Sequence, residues 1–324
     1  MSTNILEVMQ KMVILNALQG VLSILIMIII GYFLTYKKLF DESTSKLFSK
    51  LVVNLSLPCL IISDLTSTFT KQMLSGTYKG IILAFVVILV TYFLGYLFSL
   101  LLKVSSKRRG IFCALFAFSN TVFIGLPVNL ALFGNSSLPY VLLYYLGNTT
   151  LFWTLGLYVI KRSVNSKEDK ISLFQNIKKL CSPPLIAIFF ALLFIVFEIK
   201  LPEFILSTCK YIGGLTTPLS LMFIGIVMFS VNFRDIHFDK ETSVLIFGKL
   251  LLSPLLVYLI LGFFSFPTLE KNVFIIQSSL PVMTQIAITA KHYDSDFEFA
   301  TIMVTLTTIL SMILIPIIMY LISA

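Results

Sequence analysis

From Met12 to Tyr36 the chain runs 25 residues without a charged side chain. Similar apolar runs recur to the C-terminus, separated by short polar segments. A helix needs about 20 residues to cross a bilayer core, so the pattern predicts membrane-spanning helices. About ten spans result, at 12–36, 44–64, 79–102, 110–133, 138–160, 183–199, 204–231, 243–265, 271–290 and 298–322. Span 2 opens with Lys46 and Lys50, whose stems can reach back to the interface. Span 1 is longer than the core of a secretory signal and follows Glu7 rather than a basic start, so it reads as a retained helix. The longest polar stretch, 161–182, has five spans on each side. It divides the chain into a first five-helix repeat (1–165), a linker (166–182) and a second five-helix repeat (183–324).

Composition agrees with an all-α integral membrane protein. Hydrophobic residues make up 58% of the 324 and charged residues 12%, against about 25% charged in soluble domains. The net charge of +9 does not point to nucleic acid, because the Lys and Arg fall in loops rather than on one face. Of the 24, Lys11, Lys71, Lys79, Lys200, Lys210 and Lys271 lie on one side. The other 18, from Lys37 to Lys291 and with Lys249 among them, fall in the loops after the odd-numbered spans. The basic side is expected in the cytoplasm, with both termini outside the cell membrane. The four cysteines are isolated, no metal or cofactor motif is present, and HExxH, GxSxG, GxGxxG and P-loop patterns are missing. An enzyme is not expected.

An odd number of spans per half makes the halves enter the membrane from opposite sides, the inverted repeat of many secondary transporters. Span 2 carries Leu55-Ser56-Leu57-Pro58, and span 7 carries Leu215-Thr216-Thr217-Pro218. Pro58 lies 62 residues before Asn120, and Pro218 lies 63 before Pro281. Asn120 and Pro281 sit in the two most polar interruptions of the apolar pattern. Span 4 reads Ser119-Asn120-Thr121 followed by Gly125-Leu126-Pro127. Span 9 reads Gln277-Ser278-Ser279-Leu280-Pro281-Val282-Met283-Thr284-Gln285. Proline removes a helical hydrogen bond, and freed backbone groups in lipid need partners. The pattern predicts helices broken at Ser119, Gly125, Pro127 and Pro281. If the breaks meet, their half-helix N-termini form an anion site that needs no basic side chain. Asn120, Thr121, Ser279, Thr284 and Gln285 are the candidate solute-binding residues. Asn148 on span 5 either completes that site or bonds across helices. The competing account is that kinks and small polar residues serve packing alone.

At these residues the sequence resembles the auxin efflux carrier family, which includes plant auxin carriers and bacterial malate and malonate permeases. The resemblance spans essentially the whole chain. It is carried by Asn54–Pro58, Ser119–Thr121 through Pro127, Thr217-Pro218-Leu219, Leu280-Pro281 with Ala290–Tyr293, and Thr307–Pro316. It implies a scaffold of spans 1, 2, 6 and 7, and a mobile unit of spans 3–5 and 8–10 whose spans 4 and 9 cross near an anionic solute. Asn120 falls on the family's crossover asparagine. Ser119 stands where the plant carriers have proline, and the short central linker is similar to that of bacterial members. The expected activity is secondary transport of a small organic anion by elevator-type alternating access. A membrane receptor or sensor that binds a solute without moving it is the alternative. The expected partners are the anion, membrane lipid and, in a homodimer, a second copy of the chain, without nucleic acid.

Overall fold

The computed structural model describes residues 2–68, 70–164, 182–230 and 238–323. Cys181, the linker up to 181 and the loop residues Arg234, Asp235 and His237 lie outside them. Among the described residues, six helices are long and apolar enough to cross a bilayer: Gln19–Tyr36, Glu42–Ser67, Tyr78–Leu101, Glu203–Phe229, Lys240–Gly262 and Phe297–Ile322. They correspond to the expected spans 1, 2, 3, 7, 8 and 10. Two further apolar helices, Thr121–Phe133 and Pro183–Val196, are shorter.

In chain order the helices are α1 (Ser2–Tyr36), α2 (Glu42–Leu51), α3 (Leu57–Thr68) and α4 (Lys71–Leu101). Then come α5 (Ser106–Ala117), α6 (Leu126–Phe133), α7 (Leu138–Leu151) and α8 (Leu157–Ser163). Next are α9 (Pro183–Val196), α10 (Glu203–Gly213), α11 (Thr216–Phe229) and α12 (Lys240–Phe247). Last are α13 (Ser253–Gly262), α14 (Thr268–Ser279), α15 (Thr284–His292) and α16 (Phe297–Ser323).

Proline positions explain much of this division. Wide π turns occupy Val52–Ser56, Thr121–Gly125 and Gly248–Leu252, and each is followed two residues later by Pro58, Pro127 or Pro254. A proline cannot donate to the carbonyl one turn back and its ring crowds that carbonyl, so the preceding turn widens. A fourth π turn, Phe152–Gly156, joins α7 to α8 without a proline. At the other end of span 2, Asp41 starts α2 with a reciprocal cap. Its carboxylate accepts from the Thr44 amide at 2.8 Å and from the Ser43 hydroxyl at 2.7 Å. The Ser43 hydroxyl first, then the Thr44 amide, hold that carboxyl down to about 2.

The apolar faces pack in two sets. α1 lies along α11, where Gly225 lets the Ile28 carbonyl approach, and α3 lies against α9 and α10. In the other set, α4 packs on α5 and α7, α13 on α14, α14 on α7, and α15 on α16. α1 also touches α6 and α16, joining the sets. Inside, hydroxyls such as those of Thr91, Thr307 and Thr308 donate to the carbonyl four residues back, which satisfies them without a partner helix.

Candidate solute site at a helix crossover

α5 ends at Ala117 and α14 ends at Ser279, each in the middle of a buried run. Beyond them the backbone is extended, and the two extended pieces run antiparallel. Ser119 and Val282 form the bridge. The Asn120 amide donates to the Pro281 carbonyl at 2.9 Å, and the Met283 amide donates to the Phe118 carbonyl at 3.0 Å. Each broken helix therefore supplies what the other lost on breaking. The Val282 amide, facing away from this pair, donates to the Thr307 hydroxyl at 3.2 Å.

Side chains fix the crossing. The Asn120 side-chain amide donates to the Thr284 hydroxyl at 2.8 Å, tying the two breaks together. Its oxygen accepts from the Phe123 amide and caps the turn that starts at Thr121. Asn148 reaches the crossover from α7 and clamps one residue, Ser119. Its Oδ1 accepts from the Ser119 amide at 3.1 Å, and its Nδ2 donates to the Ser119 carbonyl at 3.0 Å. Asn148 thus makes a cross-helix bond, one of the two roles open to it. Gly125 is where α14 comes closest, since a Cβ there would overlap Leu280 and the Gln277 side-chain oxygen. Pro127 and Pro281 are buried, with Pro127 in the first turn of α6.

The predicted binding residues differ in what they leave free. Thr121 is buried at the start of the π turn. The Ser279 hydroxyl donates to Ile276 O of its own helix. Thr284 begins α15, whose N-terminus has no side-chain cap, and Gln285 beside it is half-buried. Gln277, one turn back on α14, was read from the sequence only as part of the polar break. It is fully buried, and neither atom of its amide has a partner among the described residues. A buried amide with nothing to bond costs about 1–3 kcal/mol.

Lys249 corrects the sequence reading twice. It was counted among the cytoplasmic loop cations, and the anion site was expected to lack a basic side chain. In the structure it lies in the π turn Gly248–Leu252 with no exposed surface. Its Nζ donates to Ser119 Oγ at 2.7 Å and to the Ala117 carbonyl at 3.3 Å. Gly248 makes this reach possible, because the Phe116 ring lies where a Cβ would stand. Among the described residues no carboxylate pairs with Lys249. The signal was present in the sequence: Lys249 falls inside the apolar run 243–265, where a lysine cannot reach either interface as easily as at a helix end. The buried Tyr144 of α7 also turns its hydroxyl toward Ser119.

A profile of the family described as membrane transport protein matches residues 16–319, nearly the whole chain. The chain belongs to this family. It is the auxin efflux carrier family that the motifs resemble. An uncharacterised transporter of Methanothermobacter thermautotrophicus is 27% identical over 316 residues, covering 94% of this chain and 98% of that one. One from Methanocaldococcus jannaschii is 25% identical over 301 residues, covering 91% and 95%. The uncharacterised transporter YfdV of Escherichia coli K12 is 23% identical over 244 residues, covering 74% and 76%. With the apolar helices, these likenesses make the chain a multi-pass membrane transporter of small solutes rather than an enzyme.

Proposed function

We propose that this transporter carries a small organic anion, a carboxylate such as malate, malonate or an auxin-like acid, across the cell membrane. The observation that carries the reading is a buried lysine and an uncapped helix N-terminus at the crossing. The uncapped N-terminus of α15 presents amide hydrogens and a partial positive charge. Lys249 adds an amine with no carboxylate partner among the described residues, and its protonated form is unfavourable until an anion arrives. The free amide of Gln277 suits a carboxylate oxygen or a neighbouring hydroxyl.

The movement is elevator-type alternating access. The two packing sets support it, because both broken helices belong to the set built from α4–α8 and α12–α16, while α1–α3 and α9–α11 form the other. The matched prolines and the crossing of spans 4 and 9 support two inverted five-helix repeats. The 17 Lys and Arg that remain on the basic side after Lys249 is removed from the 18, against six opposite, favour cytoplasmic odd loops and outside termini.

Liposomes holding the purified protein should take up radiolabelled malate, malonate or an auxin-like acid. Specific binding of one of these without flux or exchange of any of them would replace transport by a sensor role.

A further inference from the structure

The anion reading uses Lys249 for its charge, but the place it occupies has a chemistry of its own. A helix continuing past Ala117 would bond the carbonyls of Leu115, Phe116 and Ala117 to the amides of Ser119, Asn120 and Thr121. Here the Ser119 amide goes to Asn148, the Asn120 amide to Pro281 and the Thr121 amide to the Ser119 carbonyl. Three carbonyl oxygens at the C-terminal end of α5 thus lose their helical donors. They add to the negative pole of the half-helix, and Lys249 Nζ reaches one of them, Ala117 O, together with the Ser119 hydroxyl. Oxygen-rich ends of broken helices are where secondary transporters hold the cation that accompanies an anionic solute.

In this chain that position is filled by a group attached to the backbone. We propose that the Lys249 ammonium is a tethered co-ion, seated on the freed Ala117 carbonyl and the Ser119 hydroxyl at the end of α5 in place of a mobile alkali cation. The ammonium matches the seat in charge and in liking for oxygen donors, and two of its three N–H groups are already placed on Ala117 O and Ser119 Oγ. The π turn and Gly248 bring it there through otherwise apolar packing. The balancing charge then travels with the protein and is not drawn from solution on each cycle. Solute movement needs no sodium gradient; that consequence rests on the anion reading, whereas the seat itself does not.

The seat can be tested without knowing the solute. The purified full chain is melted in detergent in NaCl and in choline chloride at equal ionic strength. Wild type should melt at the same temperature in both. Lys249→Ala, which empties the seat, should melt lower in choline and gain about 3 °C or more in NaCl, saturating with concentration. Lys249→Met, which fills the seat without charge, should show no such gain. A sodium-specific rise in wild type, no sodium response in Lys249→Ala, or equal responses in both variants would overturn the proposal. Loss of Lys249→Ala in both salts would do the same, since sodium would then have failed to replace the ammonium. Separately, radiolabelled malonate uptake by wild-type liposomes should be equal under sodium and choline gradients. Absence of uptake alongside the expected melting results would fault the anion reading and leave the tethered co-ion standing.

Discussion

Ser119 joins three strands of the site: its amide meets Asn148, its carbonyl meets Asn148 and Thr121, and its hydroxyl accepts from Lys249. Ser119→Ala removes the last, and with it the hydroxyl that Tyr144 faces, and should cost about 1–3 kcal/mol, because a buried donor on Lys249 is left short. Ser119→Pro removes the amide as well and should cost more, a difference readable in thermal unfolding. This accounts for the departure from the plant carriers, since a proline here would leave the Asn148 clamp without its donor. Asn148→Ala strands the Ser119 amide but not the Ser119 carbonyl, which keeps the Thr121 amide. The expected loss is again about 1–3 kcal/mol, and uptake per folded molecule should fall because the first break is no longer held. Normal uptake by this variant would show that the clamp does not matter to transport. Asn120 and Asn148 were visible as polar letters in an apolar run. That Asn148 addresses a peptide on another span was not, because sequence spacing gives no distance between helices.

At the scale of elements, breaks were more legible than lengths. Pro281 lies in the break of span 9, whereas span 4 breaks at 118–120 and runs on as helix through Gly125 and Pro127. The π turn before Pro58 was foreshadowed only as a proline and the one before Pro254 not at all, since the widened turn depends on what packs against it. Lys249 was misplaced for a related reason. A lysine near the start of a span usually reaches the interface, and its place inside the run 243–265 was the one sequence sign that this one does not, which the approach of Phe116 over Gly248 bears out. The cap of α2 gives a pH prediction. Asp41 has a folded value of about 2, below the roughly 3.9 of an unfolded aspartate. Its stabilisation is therefore complete above pH 4 and is lost as the pH falls from about 4 through 2. Hydrogen-exchange protection of the Thr44 amide should follow that window. Asp41→Asn, which caps without ionising, should show no such step.

For the whole molecule, Arg108 ties the broken helix to its neighbours at one end. Its guanidinium donates to Glu241 at the start of α12 and to Asp296 before α16, and it lies over the Phe299 ring. These groups are only part-buried, so Arg108→Ala should cost about 1 kcal/mol at low salt, after allowance for screening by solvent. High salt should narrow the gap to wild type in thermal unfolding. The antiparallel pairing at the crossing also bears on how the chain is made. Pro281 is synthesised 161 residues after Asn120. Until it arrives, the Asn120 amide and Phe118 carbonyl have no counterpart, and each open group in lipid costs several kcal/mol. The break in span 4 is then a late event of biosynthesis, completed by assembly rather than by insertion. A fragment of residues 1–182 produced alone should be cleared by the cell, and the same fragment produced together with 183–324 should accumulate. Equal accumulation in both cases, followed by immunoblot, would mean that the first half closes its own wound.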